Sequence, residues 1–189
     1  MVQMPVREGI VMRSLTNADA PEVYKAIDAN RAYLREWLTW VDGTDSPAAV
    51  ESVIESWGKC FENKSDAVFG IFEKGAYIGN IGLHGLKSRN RSGMVGYWLA
   101  EGRQGRGIMS GCVRVLTDFG FCTLGLNRVY IHCAAGNKKS RAIPERLGFA
   151  HEGTFQDGEC LYGVFHDLAV YGMVSRNWQK IGQGAVPAL

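Results

Sequence analysis

A glycine-rich segment between two apolar runs constrains the fold of this chain most strongly. Residues 94–99 form a short apolar run typical of a strand, and residues 101–107 contain three glycines. Apolar residues then recur at helical spacing over 108–119, and a run with β-branched residues follows at 128–134. A strand, a glycine-rich loop, a helix and a second strand predict a parallel strand pair joined by a right-handed crossover.

The position of these glycines, ahead of a helix, indicates an anion site. The start of a helix offers unpaired backbone N–H groups and a partial positive charge, and glycine lets those groups converge on one point. The segment therefore predicts a phosphate or pyrophosphate site. A tight turn that binds nothing would need the same glycine spacing. The Walker pattern is absent, and the dinucleotide fingerprint fails because Ser110 stands at its third glycine.

The rest of the chain alternates irregularly between the two periodicities. Residues 10–15 predict a first strand, and two helices follow, one carrying Val23, Ile27 and Leu34 and one that starts at Ser46-Pro47. Later runs predict strands at 67–72, 77–84, 94–99, 128–134, 149–155 and 167–174, with helices at 108–119 and 138–147. This order predicts a mixed α/β domain with about four helices rather than a doubly wound parallel sheet.

Length and composition exclude several classes of protein. The 189 residues correspond to about one domain, and a net charge of +2 is too balanced for a general nucleic-acid or polybasic membrane binder. No stretch is apolar enough to predict a membrane span. Five cysteines without a Cys-x-x-Cys pair predict reduced thiols in a cytoplasmic protein, and the spacing of the four histidines predicts no metal site.

The glycine-rich loop and its surroundings resemble one known family. Gln104-Gly105-Arg106-Gly107-Ile108-Met109 resembles the acetyl-CoA loop of the GNAT N-acetyltransferases, and Gly96-Tyr97-Trp98-Leu99 resembles its RimJ/RimL branch. Residues 31–38 and 137–149 are similar to further blocks of that branch, so the resemblance covers about residues 8–178. It implies a single acetyltransferase domain over 1–180, and the two glycines and one proline of residues 181–189 predict a flexible tail. It also implies a mostly antiparallel mixed sheet with one splayed parallel strand pair.

The resemblance implies a binding site for acetyl-CoA. Pantetheine is expected along the open edge of the strand that carries Trp98 and Leu99, and a backbone N–H near Leu99 is expected to stabilise the oxyanion. Asn137 is expected to contact the pantetheine arm and also suits a helix N-cap. The predicted pyrophosphate loop comprises Gln104, Gly105, Arg106, Gly107, Ile108 and Met109. For Arg106, and for neighbouring Arg103, a solvated side chain is the simpler interpretation.

Direct attack of a primary amine on a thioester requires a base and a donor for the departing thiolate. Ser140 matches the family position that hydrogen-bonds the sulfur, which implies a general acid. Many relatives place a glutamate where this chain has Met94, so Glu101, His84 or an ordered water remain as candidates for the base. An α-amine with a pKa near ~8 loses its proton more readily than a lysine amine with a pKa near ~10.4. The missing glutamate at the position of Met94 therefore favours an N-terminal α-amine as the acceptor.

The resemblance therefore implies acetyl transfer to a primary amine, with a protein N-terminus, including a ribosomal one, as the leading acceptor. The alternatives are a small amine such as a polyamine, an amino acid or an aminoglycoside, or a non-catalytic module that senses acyl-CoA. Relatives are often homodimers, and the sequence leaves the oligomeric state open.

Overall fold

The computed structural model describes residues 2–184 and contains one mixed sheet flanked by helices. Six α-helices accompany the strands in this part of the chain: α1 Ala20–Ala29, α2 Arg31–Leu34, α3 Pro47–Glu62, α4 Ile108–Asp118, α5 Lys138–Arg146 and α6 Ser175–Gly184. The eight strands are β1 Gln3–Arg7, β2 Ile10–Arg13, β3 Ala67–Glu73, β4 Ala76–His84, β5 Ser92–Leu99, β6 Arg128–Ala134, β7 Ala150–Leu161 and β8 Val164–Val174.

The strands lie in the order β1-β2-β3-β4-β5-β6-β8-β7, and all neighbours are antiparallel except β5 and β6. The parallel pair is joined only at its beginning, from Ser92 opposite Arg128 to Met94 opposite Tyr130. Beyond Met94 the two strands separate, so one edge of β5 has no strand beside it there. The predicted mostly antiparallel sheet with a splayed parallel pair is confirmed.

Two apolar cores fix the helices to opposite faces of the sheet. On one face, Ile108, Cys112 and Leu116 of α4 pack against the inward-facing residues of β3 to β6. On the other face, α1 and α3 cover Phe72, Tyr77 and Trp98 at the β3–β5 side of the sheet. Burial of these alternating side chains sets the register of each strand, because a one-residue slip would turn them to solvent.

Several elements differ from the sequence-based expectation. Six helices are present rather than about four, because the four-residue α2 and the C-terminal α6 were not predicted. The prediction of Leu34 on the same helix as Val23 and Ile27 is wrong: the backbone leaves the helical conformation at Asn30, so α1 ends at Ala29 and Leu34 lies on α2. Strand β1 was also missed; it contains Pro5, which an edge strand tolerates because one side of it needs no ladder hydrogen bonds. Of the predicted tail over 181–189, residues 181–184 belong to α6, and 185–189 lie outside the described residues.

Close packing between strands explains a glycine that the sequence left without a role. A Cβ atom at Gly79 would collide with the carbonyl oxygen of Trp98 on the neighbouring strand β5. Because backbone rather than a flexible side chain would be struck, only glycine fits this register.

Among the described residues, no helix is long and apolar enough to cross a membrane.

Candidate active site

A cleft of about 930 Å³ opens where β5 and β6 separate. Gly96, Tyr97 and Trp98 form one wall, and His132 and Cys133 form the other. The start of α4 closes one end of the cleft, and α5 borders it on the α4 side of the sheet. The cleft therefore passes between the two strands and gives access to both faces of the sheet.

The α4 end of the cleft has the features of an anion site. Gly105 and Gly107 both have φ values of +71°, and nothing lies within 4 Å of the space that a Cβ would take at either. Gly107 is the N-cap, so the first N–H groups of α4 have no partner within the helix and face the loop. The helix dipole adds partial positive charge at the same point, and Lys139 and Arg146 also line this cleft.

Gln104 joins three elements around the loop. Its Nε2 donates to the Tyr33 hydroxyl at 2.6 Å and to the Leu99 carbonyl at 3.4 Å. Lys139 Nζ donates to its Oε1 at 3.3 Å. Gln104 thus holds the loop between α2, the end of β5 and α5, and its side-chain groups are engaged in the fold.

The two arginines of the loop share one partner outside it. Arg106 donates to Glu73 at 2.6 Å, and Arg103 lies 2.9 Å from the other oxygen of the same carboxylate. These contacts lower the pKa of Glu73, chiefly through the hydrogen bond from Arg106. Arg103 still borders the cleft, whereas Arg106, a predicted cofactor-binding residue, is not among the residues that line it.

Asn137 and Ser140 lie together at the start of α5. The Oδ1 atom of Asn137 accepts a hydrogen bond from the Ser140 N–H at 3.0 Å, which makes Asn137 the N-cap of the helix. Both side chains line the cleft. The N-cap bond occupies the carbonyl of the Asn137 amide and leaves its NH₂ group free of that contact.

Tyr97 is the partner of Ser140 across the cleft. Its hydroxyl lies 3.1 Å from Ser140 Oγ and 3.1 Å from the Ser140 carbonyl oxygen. Burial raises the pKa of Tyr97, so the phenol stays protonated and can donate. A phenol has one proton, so Tyr97 donates either to the Ser140 carbonyl, with the serine hydroxyl then donating to Tyr97, or to Oγ, with the serine proton then free to point into the cleft.

Two carboxylates line the cleft, and they differ in environment. Glu159 on β7 is half-buried, and burial raises its pKa, with a smaller opposing effect from His166. Glu101, a predicted catalytic residue, is exposed in a short 3₁₀ turn, and its backbone N–H donates to Asn30 Oδ1 at 2.9 Å. The raised pKa of Glu159 brings it closer to that of a base acting at neutral pH.

His84, the other predicted catalytic residue, lies outside the cleft lining at the end of β4. Its Nδ1 lies 3.2 Å from Asp66 Oδ1, and the same oxygen accepts from the Gly85 N–H at 3.1 Å. The imidazole occupies the space that a side chain at Gly82 would need. The remaining predicted cofactor residues, Trp98, Leu99, Gln104, Gly105, Gly107, Ile108, Met109 and Asn137, all line the cleft.

Sequence reasoning missed Tyr97 and Glu159 as chemical groups. Tyr97 stood inside the Gly-Tyr-Trp-Leu strand motif, and only the packing of α5 brings Ser140 to its hydroxyl. Glu159 lies beyond the strand that the sequence predicts over 149–155. Strand β7 instead continues to Leu161 past a register shift between Phe155 and Glu159, which turns the carboxylate toward the cleft.

Comparison with known proteins assigns this architecture to a family. A family model described as an acetyltransferase (GNAT) domain matches residues 10–150. This chain belongs to the GNAT acetyltransferase family. Over 180 residues, covering 95% of this chain and 98% of the relative, it is 36% identical to a Bacillus subtilis protein named "Putative ribosomal N-acetyltransferase YdaF". Family membership makes this protein an N-acetyltransferase. The resemblance of its sequence to the GNAT N-acetyltransferases is confirmed.

Solved structures of acetyltransferases share this fold, and two of them hold coenzyme A or acetyl-CoA. A RimL ribosomal L7/L12 α-N-protein acetyltransferase in complex with coenzyme A has a TM-score of 0.87 at 25% identity, covering 92% of this chain and 98% of that one. The microcin C7 self-immunity acetyltransferase MccE, in complex with acetyl-CoA and AMP, has a TM-score of 0.85 at 28% identity. It covers 89% of this chain and 94% of its own.

Proposed function

We propose that this chain transfers the acetyl group of acetyl-CoA to the α-amine at the N-terminus of a protein. One observation carries the proposal: the β5–β6 opening lies beside the glycine-lined start of α4 and leads past the Tyr97–Ser140 pair to Glu159. Binding, a proton donor and a proton acceptor thus occur in one continuous cleft. RimL, which is named for acetylation of an α-amino group, shares the fold.

The residues of the cleft fit acetyl-CoA. The unpaired edge of β5 beyond Met94 offers backbone groups to the amides of pantetheine, as an added strand would. The open space at Gly105 and Gly107 admits a pyrophosphate against the N–H groups of α4, and Lys139 and Arg146 add positive charge. The NH₂ group of Asn137 can donate to a pantetheine carbonyl while its Oδ1 caps α5. When bound, acetyl-CoA supplies the acetyl group as a thioester.

Ser140 acts as the proton donor to the departing sulfur, and Tyr97 supports it. A thiol with a pKa near ~8.5 leaves as a thiolate that one hydroxyl can stabilise. The relay uses the arrangement in which Tyr97 donates to Ser140 Oγ rather than to the Ser140 carbonyl. In that arrangement the serine proton is available to the sulfur, and hydrogen-bond polarisation increases its acidity.

Glu159 acts as the base that takes the proton of the incoming amine, directly or through one water. It belongs to β7 and Ser140 to α5, so acceptor and donor groups approach the opening from different elements. Its half-buried carboxylate also attracts the ammonium form of the amine, which places positive substrate charge beside it. Glu101 is exposed and His84 is paired with Asp66 outside the cleft, so we assign the base to Glu159 rather than to either.

The reaction belongs in the cytoplasm, where ribosomal proteins are made and where the five cysteines, all free thiols here, stay reduced.

A panel of acceptors tests the proposal. Purified protein is incubated with acetyl-CoA and, separately, N-terminal peptides, α-blocked lysine peptides, spermidine and an aminoglycoside. Coenzyme A is separated from acetyl-CoA by chromatography, because the exposed Cys122 and Cys160 would react with thiol dyes. We expect the highest kcat/KM with N-terminal peptides. A higher kcat/KM with spermidine assigns a small-amine acetyltransferase instead, and tight coenzyme A binding without turnover of any amine assigns a sensor.

A further inference from the structure

A second cavity of about 370 Å³ lies on the sheet face next to the cleft. Its floor and walls comprise Arg128, Tyr130, His132, Glu152, Gly153, Phe155 and Val170, here called the β6 groove. His132 lines both this groove and the catalytic cleft, so the two spaces meet at one side chain. The groove therefore begins at the edge of the proposed catalytic cleft.

The groove lies on the same face of the sheet as α1 and α3, but beyond them. Those helices cover Phe72, Tyr77 and Trp98, which belong to the β3–β5 side. On β6, Tyr130 and His132 alternate onto this face and remain half-exposed, and Phe155 of β7 is 56% exposed. A strip of sheet face beside the cleft is therefore left open to solvent.

The groove is largely uncharged in its interior and polar at its far end. The Tyr130 and His132 rings lie 5.0 Å apart, and Phe155 lies 6.0 Å from His132 in an edge-to-face arrangement. Burial lowers the pKa of His132, so the imidazole is neutral at pH 7. Arg128 and Glu152 pair with each other at the far end. The surface suits an uncharged chain with apolar side chains, and it has no surplus charge to attract a polycation.

We propose that the β6 groove binds the residues that follow the acceptor's N-terminus, and so selects an extended polypeptide over a small amine. The inference rests on the proposed function. From His132 to Arg128, β6 advances four residues, or roughly 13 Å. An extended peptide of about the same number of residues spans that distance, so the groove reads about the second to the fifth residue of the acceptor.

Peptide length tests the inference. The acceptors are peptide amides of two, four and six residues that share an N-terminal Ala-Ala and continue with Leu and Ala. We expect kcat/KM to rise about tenfold from two to six residues. In Phe155→Ser we expect kcat/KM for the six-residue peptide to be close to that for the two-residue peptide, a ratio close to one, because the apolar wall of the groove is lost. Phe165→Ser is the matched control: Phe165 is 63% exposed on the same β-hairpin and lines neither cavity, so its ratio stays near ten.

The outcomes separate the groove from the proposed function. Acetylation of the dipeptide without any gain from length overturns the groove and leaves the function intact. A tenfold ratio that persists in Phe155→Ser also overturns it. Light scattering adds a third outcome: if Phe155→Ser converts a dimer to a monomer, a second copy of the chain occupies the groove, and the inference is wrong. Failure to acetylate any peptide overturns the proposed function itself.

Discussion

The contact between Tyr97 and Ser140 gives the sharpest test of the proposed chemistry. In Ser140→Ala the departing sulfur loses a hydrogen bond to a developing charge, which is worth ~1.5–3 kcal/mol. We therefore expect kcat to fall by about 10- to 150-fold. Tyr97→Phe removes the hydroxyl that lies 3.1 Å from both the carbonyl oxygen and Oγ of Ser140. The loss is one neutral hydrogen bond of about 1 kcal/mol, so kcat falls about fivefold.

A double-mutant cycle decides whether Tyr97 acts through Ser140. If it does, Tyr97→Phe has no further effect on kcat in the Ser140→Ala background, and the coupling energy is about 1 kcal/mol. The assay is chromatographic release of coenzyme A at saturating acetyl-CoA, with the Kd of coenzyme A measured by calorimetry for every variant. Tyr24→Phe, on α1 outside the cleft, is the matched tyrosine control. Effects that multiply in the double variant would refute the relay, because each hydroxyl would then act alone.

Three further predictions address the base, the loop and the fold. Glu159→Gln lowers kcat at pH 7 by about 100-fold, and the deficit narrows as pH rises past the ~8 pKa of an α-amine; a deficit that is constant with pH contradicts a base. Gly107→Val weakens coenzyme A binding at least tenfold in calorimetry, because the φ of +71° at this position disfavours a β-branched side chain. Gly102→Ala is the control: Gly102 belongs to the same loop and has no positive φ, so the Kd of coenzyme A stays at the wild-type value. The Arg13 hydrogen bond at 2.6 Å lowers the pKa of Asp19 from 3.8 to about 2, so its contribution to stability is complete above pH 4 and is lost as pH falls toward 2. Asp19→Asn therefore lowers the free energy of unfolding by roughly 2 kcal/mol at pH 7 and flattens its acid dependence in urea titrations; an unchanged acid limb contradicts that ion pair.

The glycine-rich loop and the strands around it could be predicted from sequence because their signals are local. Glycines ahead of an amphipathic helix predict an anion site within about ten residues, and the crossover rule makes the two strands on either side of that loop and helix parallel. Asn137 as an N-cap is equally local, since the cap accepts from an N–H three residues away.

The remaining parts of the site depend on contacts between distant segments. Tyr97 and Ser140 are 43 positions apart, and their hydrogen bond exists only because α5 packs beside the opened end of β5. Glu159 reaches the cleft through a register shift in β7, and a bulge of this kind leaves little trace in a pattern of alternating residues. For the same reason, His84 could be proposed from its place on β4 but not positioned relative to the cleft.

One product analysis tests the central claim most directly. A six-residue peptide with a free α-amine and one internal lysine is incubated with the protein and acetyl-CoA, and tandem mass spectrometry locates the acetyl group. Because Glu159 is a modestly perturbed carboxylate and an α-amine is far less basic than a lysine, we expect a single acetyl group on the α-amine. Acetylation of the lysine with the α-amine left free, or no acetylation with coenzyme A still bound tightly, would contradict the account.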